Sequence, residues 1–326
     1  MSTWAVIGKR LTALPAVLLL VAVMTWGLAW ASPFDPAEAY VAGLVGPGQS
    51  NQAVEDAYRQ AWGLDEPVPA QFVNWLGNLV TGDLGVSRMI PGQEVSAVLG
   101  SRLSASALLV ATSLALVLAG SLVMGVLAAR FRDSTLDWFV RTVSYTNAFA
   151  PSFWVALLAI YFFSVWLGWL PATGAADLRS AGGPTIDLAH LVLPAVTLAL
   201  TQHGVFTLYV RATVLESMRE DHVRFARAQG ASETSALFRH ALPNSLVPYV
   251  TLIGTHIPEL IGGSVLIETV FAWPGLGSLT VAAARAVDLP LLLAIVLAGA
   301  VLVVLGNLVA DLLYRVVDPR VREARA

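Results

Sequence analysis

The feature that most constrains this chain is a series of runs, about 20 residues or longer, that are apolar on every side. Lipid offers no partner for a backbone N–H or C=O. A segment that crosses it must close its own hydrogen bonds, so these runs are expected as helices. Barrel strands alternate polar and apolar residues, and these runs do not. Composition agrees: 56% of the residues are hydrophobic and 13% are charged, against roughly 25% charged in a soluble domain. The expected fold is an all-α integral membrane protein with about six transmembrane helices, at 11–31, 104–129, 138–169, 188–212, 245–267 and 289–313. The third is long and contains Pro151, which predicts a tilt or a kink. The first follows Lys9 and Arg10, and Ala29-Trp30-Ala31 imitates a signal-peptidase site. Its apolar run outlasts the roughly 7–15 residues of a secretory signal, so it is expected to remain as a span.

Orientation follows from the basic residues. The N-terminus, the 130–141 turn, the 211–240 segment and the tail together hold fourteen of the 19 Lys and Arg. Cytoplasmic loops carry such an excess, so both termini are expected in the cytoplasm of a multi-pass plasma-membrane protein. The whole chain, 1–326, is expected as a single transmembrane domain. Within it, 31–103 forms an extracytoplasmic loop subdomain after the first helix, with turn signals at Gly46-Pro47-Gly48 and Gly82-Asp83-Leu84-Gly85. The 213–244 segment lies on the cytoplasmic side.

Several chemistries lack their residues. A P-loop ends in Gly-Lys-Ser/Thr, and the sole lysine sits in Gly8-Lys9-Arg10, so ATP hydrolysis by this chain is not expected. There is no H-E-x-x-H, no G-x-S-x-G and no cysteine. The histidines are scattered, with no i,i+4 pair suited to a metal. No catalytic, cofactor or metal site is therefore expected; a net charge of −3 says little about a partner, and no nucleic-acid partner is expected. Gly262-Gly263-Ser264, with His256 two turns away, fits an intramembrane serine protease in principle. Small residues at such positions more simply let helices pack closely.

Between two apolar spans lies a basic segment with helical character. Val214, Leu215, Met218, Val223 and Phe225 supply apolar contacts, and Glu220 precedes Arg224 by four, a favourable spacing. Gly230 is expected to end this helix at C′. Ser232 is placed to cap a second piece, Glu233 to Leu242, and Pro243 and Asn244 mark the return to the membrane. Composition leaves two readings open: a linker lying on lipid headgroups, or an exposed helix pair that inserts into another protein.

The order of residues adds a resemblance. "DHVRFARAQGASETSALFRHALPN" resembles the cytoplasmic signature of ABC-importer permeases of the bacterial dipeptide, oligopeptide and nickel transport family, which carries a form close to D-Y-V-R-T-A-R-A-K-G followed by R-H-A-L-x-N. Asp221, Val223, Arg224, Ala226, Arg227, Ala228 and Gly230 match, as do Arg239, His240, Ala241, Leu242 and Asn244. His222, Phe225 and Gln229 depart from it. "GLDEPVPAQFVNWLGNLVTGDLG", "PSFWVALLAIYFF", "LGWLPATG", "LVLPAVTLAL", "GGSVLIETVFAWPGLG" and "NLVADLLYRVVDPR" extend the resemblance over nearly the whole chain. Ser32-Pro33-Phe34-Asp35-Pro36 departs from the family's frequent L-x-P-G-D-P.

The resemblance implies a helix–Gly–helix coupling unit that docks on a separate ATPase. Asp221, Arg224, Ala226, Arg227, Ala228, Gly230 and Ala231 form its coupling set, with Ala226 and Ala228 keeping the contact face slim. It implies a second homologous permease subunit, two ABC ATPase subunits or domains that hold ATP and Mg, an extracytoplasmic solute-binding protein, and a peptide substrate. Charged and polar groups inside spans are costly and mark candidate paths. These are Glu259, with His256 one turn back, then His203, Gln202 and Glu268. For Glu259 a buried Glu–His pair and a pathway carboxylate both remain open. Phe271 and Trp273 are expected as interfacial anchors or as part of an outer gate. The expected function is the permease subunit of an ATP-driven peptide importer. The alternatives are nickel or glutathione cargo in the same machine, or an ion-coupled secondary transporter.

Overall fold

The computed structural model describes residues 3–45, 51–87, 89–90, 92–175 and 187–317. Gly46-Pro47-Gly48 and the tail arginines Arg320, Arg322 and Arg325 lie outside them. Among the described residues the ordered elements are helices, with one isolated bridge between Val86 and Glu94. In chain order they are α1 (Thr3–Ala31), α2 (Pro36–Val45), α3 (Gln52–Trp62), α4 (Val68–Thr81), α5 (Val95–Arg130) and α6 (Thr135–Phe149). Then follow α7 (Ser152–Trp166), α8 (Leu188–Ser217), α9 (Asp221–Ala228), α10 (Glu233–Val270), α11 (Leu276–Arg285) and α12 (Leu289–Val317). Among the described residues five helices are long and apolar enough to cross a membrane, or 6 where the bent pair α6–α7 counts as one span.

Two expected spans differ in form. The third bends at Pro151, as a kink and not a tilt, and far more sharply than a kinked helix: α6 and α7 meet at 111°. Ala150 is extended, at φ −70 and ψ 132, as a residue before proline prefers. Pro151 then starts a new helix without needing an N–H. The fifth span is longer than expected, because Pro243 does not interrupt it. Residues Ala236–Ala241 are in π geometry. Their wider turn shifts the carbonyl that a proline ring would otherwise strike, and one continuous helix results.

The chain divides into two compact units: Met1–Arg10 with Ala107–Trp273 and Val303–Ala326, and Leu11–Ser106 with Pro274–Leu302. The first unit has a core built from Val117, Phe206, Val210, Val214, Leu237 and Tyr249. Helices approach very closely within it. A Cβ placed on Gly204 of α8 would come 2.1 Å from the Ser144 carbonyl oxygen of α6. Only a hydrogen fits there, which is how small residues bring membrane helices together. The same pair is tied by Arg211, whose Nε and Nη2 donate to the two Asp137 carboxylate oxygens at 2.6 and 2.7 Å. Tyr249 donates from its hydroxyl to the Leu118 carbonyl at 3.1 Å and shares a 2.8 Å bond with Ser121.

The second unit contains the whole 31–103 stretch, with α2, α3 and α4 inside it. Val95, Val98, Leu279, Ala283, Leu291 and Ile295 are buried together. Asp288, fully buried, accepts from Ser87 Oγ at 2.8 Å, from Met89 N at 2.9 Å and from Leu291 N at 3.2 Å. It thereby caps α12 and pins the loop that precedes α5. Arg59 of α3 bonds Asp35 and, at 3.2 Å, Glu55; these hydrogen bonds, Asp35 first, raise the guanidinium's pKa above its ordinary value. The turn expected at Gly82–Gly85 forms: Asp83 N donates to the Asn78 carbonyl at 2.9 Å, and Gly85 N to Asp83 Oδ1 at 2.8 Å.

Candidate functional site

The 213–244 segment folds as a short helix, a sharp corner and the start of a long helix. At the end of α9 the Gly230 N–H donates to the Arg227 carbonyl at 2.9 Å, and the Ala231 N–H to the Ala226 carbonyl at 3.0 Å. These two bonds make a Schellman motif, which requires a left-handed residue at C′. Gly230 supplies it with φ +91. A Cβ added there would meet nothing within 4 Å. The glycine is thus required by backbone conformation and leaves the outside of the corner open. Ser232 Oγ accepts from Ser235 N at 3.3 Å and starts α10.

The corner is braced from within. Arg227 Nη2 donates to Glu233 at 2.8 Å, across the turn. His222 Nε2 lies 3.1 Å from the His240 carbonyl oxygen and 3.0 Å from the Asn244 amide, while its Nδ1 lies 3.1 Å from Glu220. His222, one of the three residues that depart from the resembled pattern, therefore ties α9 to the base of α10. Val223, Ala236 and Ala241 are buried together beneath it.

This arrangement corrects several expectations. Glu220 does not pair with Arg224; it precedes α9 and engages His222, while Arg224 sits 3.6 Å from Asp221. Phe225 points outward, 64% exposed. Ala226 is buried, so its small side chain serves the inner face of the segment and not an outer contact face. Asp221, Arg224, Ala228 and Gly230 are exposed, and Arg227 and Ala231 are half-buried. Arg227, spent on Glu233, is a brace.

The path candidates separate. Glu259 lies on α10, with its side chain 63% exposed and Oε2 3.5 Å from His256 Nε2. The Glu–His pair forms, and within this chain its carboxylate is not enclosed between helices. A carboxylate on the open face of a span is costly against lipid and calls for a polar surrounding. His256 packs edge-on against Phe206 at 5.1 Å, and its Nδ1 lies 3.1 Å from the Leu252 carbonyl oxygen. The other three do not join them on that face. His203 is wedged where a Cβ on Gly120 would come 3.0 Å from its Nε2, and its Nδ1 lies 3.1 Å from Thr207 Oγ1. Gln202 is buried. Glu268 is fully buried and accepts from Ser264 Oγ at 3.3 Å.

Phe271 and Trp273 are also fully buried, so they are core residues and not interfacial anchors. The Phe271 carbonyl accepts from Gly174 N at 2.8 Å. Ser264 also donates to the Ile261 carbonyl at 2.9 Å, which leaves its hydroxyl engaged on its own helix. The close packing expected at Gly262-Gly263 is found instead at Gly125, Gly204, Gly254 and Gly306, while Gly262 faces open space. Sequence reasoning missed the Asp137–Arg211 pair. Its signal was a carboxylate and a guanidinium, each at an end of an expected span.

Comparison with known proteins follows this geometry. Residues 121–323 match the family described as binding-protein-dependent transport system inner membrane component. Residues 4–100 match the one described as binding-protein-dependent transport system membrane component, N-terminal. The chain is 38% identical to the oligopeptide transport system permease protein AppB of Bacillus subtilis, over 97% of this chain and 98% of that one. It is 41% identical to a putative peptide transport system permease protein of Brucella abortus, over 98% and 99%. It is 35% identical to the glutathione transport system permease protein GsiC of Escherichia coli, over 96% and 97%.

Proposed function

The chain belongs to the family of binding-protein-dependent transport system inner membrane components, and from that premise we propose that it is the permease subunit of an ATP-driven importer of peptides. Relatives named for oligopeptide and peptide transport align over almost their full length and support that cargo. The similarity to a glutathione permease supports a second, narrower reading, in which the cargo is a short modified peptide.

In this reading the chain performs no bond chemistry. It forms half of the path beside a second, homologous permease, with both termini in the cytoplasm. A solute-binding protein delivers peptide from outside. Two ATPase subunits or domains carry ATP and Mg below. The observation that carries the mechanical part is the corner at Gly230: an open left-handed turn, braced by Arg227–Glu233 and by His222, at the foot of a long helix. Such a unit needs shape and stiffness, and no catalytic group. Glu259, exposed on that same helix, is the candidate to meet the peptide's ammonium group as it passes.

The test is uptake by the complete complex in proteoliposomes, with ATP inside and the binding protein outside. Dipeptides, longer peptides, glutathione and nickel are each supplied as labelled cargo. Peptide accumulation that stops without ATP supports the reading. Accumulation by the chain alone, driven by an ion gradient, would refute it and favour a secondary transporter.

A further inference from the structure

We propose that a basic cleft between α6 and α8 holds the phosphate of an anionic phospholipid. The cleft has a volume of about 670 Å³, and Arg132, Arg141, Arg211 and Arg219 lie on its wall with Asp133 and Glu216. None of these residues belongs to the coupling set or to the path candidates.

Charge accounting shows which groups are spare. Arg211 is committed to Asp137 by two bonds, at 2.6 and 2.7 Å. Arg132 Nε sits 3.1 Å from Asp133. Arg141 and Arg219 make no ion pair among the described residues, and both are exposed. Two guanidiniums without an ion pair therefore face the cleft, Arg219 and Arg141, the latter also within the field of Asp137, against one such carboxylate, Glu216. A guanidinium offers a planar fork of donors that matches phosphate oxygens.

The cleft also has the right layering. Leu208, Ala212 and Leu215 of α8 supply an apolar strip beside Tyr145 of α6. The lining runs from inside the expected spans, at Tyr145 and Leu208, to beyond their ends, at Arg132 and Arg219. That is the depth where acyl chain gives way to headgroup. Trp138, 66% exposed, and Phe131, 47% exposed, lie in the same stretch of chain; aromatic side chains concentrate at this level of a bilayer. The positive-inside pattern puts this end of the spans at the inner leaflet, whose anionic lipids are drawn to basic clusters. Free phosphate offers the same oxygens. The apolar strip, which a free ion would leave uncovered, favours the lipid.

The experiment titrates the purified full-length chain in neutral detergent and follows its thermal midpoint by tryptophan fluorescence. The probes are short-chain phosphatidylglycerol, phosphatidylcholine of matched chains, and inorganic phosphate. Phosphatidylglycerol is expected to raise the midpoint saturably, and the other two are not. Arg141→Gln with Arg219→Gln is expected to weaken the phosphatidylglycerol response by about thirtyfold, near fivefold for each contact. Arg285→Gln, an exposed arginine of the other unit, should leave it unchanged. An equal response to phosphatidylcholine or to inorganic phosphate overturns the proposal, as does an undiminished response in the double variant. If the double variant melts early without lipid, each single variant is titrated instead. The proposal then fails if neither binds phosphatidylglycerol more weakly.

Discussion

Replacing Gly204 by alanine should destabilise the protein, although alanine is the better helix former. Gly204 lies within α8, where an exposed Gly→Ala change would gain about 1 kcal/mol. Here the added Cβ would sit 2.1 Å from the Ser144 carbonyl oxygen and 3.1 Å from the Ala148 nitrogen. Both obstacles are backbone, so no rotamer change relieves them. Real Cβ atoms essentially never come within 3.0 Å of such a neighbour, and α6 and α8 would have to part by about 1 Å in a core packed at crystal density. The Asp137–Arg211 bonds at 2.6 and 2.7 Å resist that motion. Overpacking of this kind costs about 3 kcal/mol, which leaves a net loss of about 2 kcal/mol. The thermal midpoint in detergent should then fall by about 4–8 °C. Gly100→Ala is the matched control. It lies within α5, and a Cβ there meets nothing within 4 Å. It should hold the midpoint or raise it by up to about 4 °C. The opposite signs are the test. If Gly204→Ala melts at or above the wild type, the backbone contact between α6 and α8 does not exist as described.

Four further outcomes are expected. Gly230→Leu should insert in the membrane and lose only about 1–2 kcal/mol of local stability, the cost of a side chain in a left-handed turn, while ATP-driven uptake by the assembled complex collapses; full uptake would remove the corner from the mechanism. Asp137→Asn, which leaves the Arg211 guanidinium against a neutral partner, should cost about 3 kcal/mol by thermal melting, with Arg211→Gln adding little in the same background. Asp288→Ala removes the acceptor of the Ser87, Met89 and Leu291 bonds and should also cost about 3 kcal/mol, with faster amide exchange at Met89. Glu259→Gln should melt as the wild type but take up peptide at least about tenfold more slowly; unchanged uptake removes it from the path.

The spans were legible because lipid leaves the backbone few choices, and uniform hydrophobicity is a coarse signal that survives uncertain boundaries. The corner at Gly230 was legible for a different reason: a glycine just past a basic amphipathic turn, followed by Ser232, is a local signal with a local cause. What failed was non-local. Pro151 and Pro243 carry the same covalent restriction, yet one ends a helix and the other is absorbed by a π turn. The difference lies in the backbone around each proline, which its residue type does not report. Phe271 and Trp273 were read as interfacial anchors or part of an outer gate from their place along the chain, but burial is decided by what packs over them, and both are enclosed, which rules out the anchors. Likewise, Gly262-Gly263 looks like a packing motif, but close approach occurs at Gly204, against the Ser144 backbone, and at Gly254, against the Ala310 side chain, because only the docked partner decides which small residue is crowded.

The absorbed proline matters most for the proposed mechanism, because a corner transmits force only if the element beyond it is stiff. Had Pro243 broken the chain, a push at Gly230 would have ended in a hinge at the membrane surface. Instead α10 runs unbroken from Glu233 to Val270. Tyr249 fixes it partway, through its bonds to Leu118 and Ser121 of α5. From Glu233 to that anchor is about 24 Å of helix, and from the anchor to Glu259 about 15 Å, at 1.5 Å per residue. A rod of this kind is not uniform: Pro248 and Pro258 lie inside it and each removes a backbone bond, while Phe206 of α8 packs against it at both Tyr249 and His256. The π turn at Ala236–Ala241 is where such a rod would flex, and Ala236, Leu237 and Ala241 are buried there. Burial of those three side chains supports the helix at its widest turn, which the proposed mechanism requires.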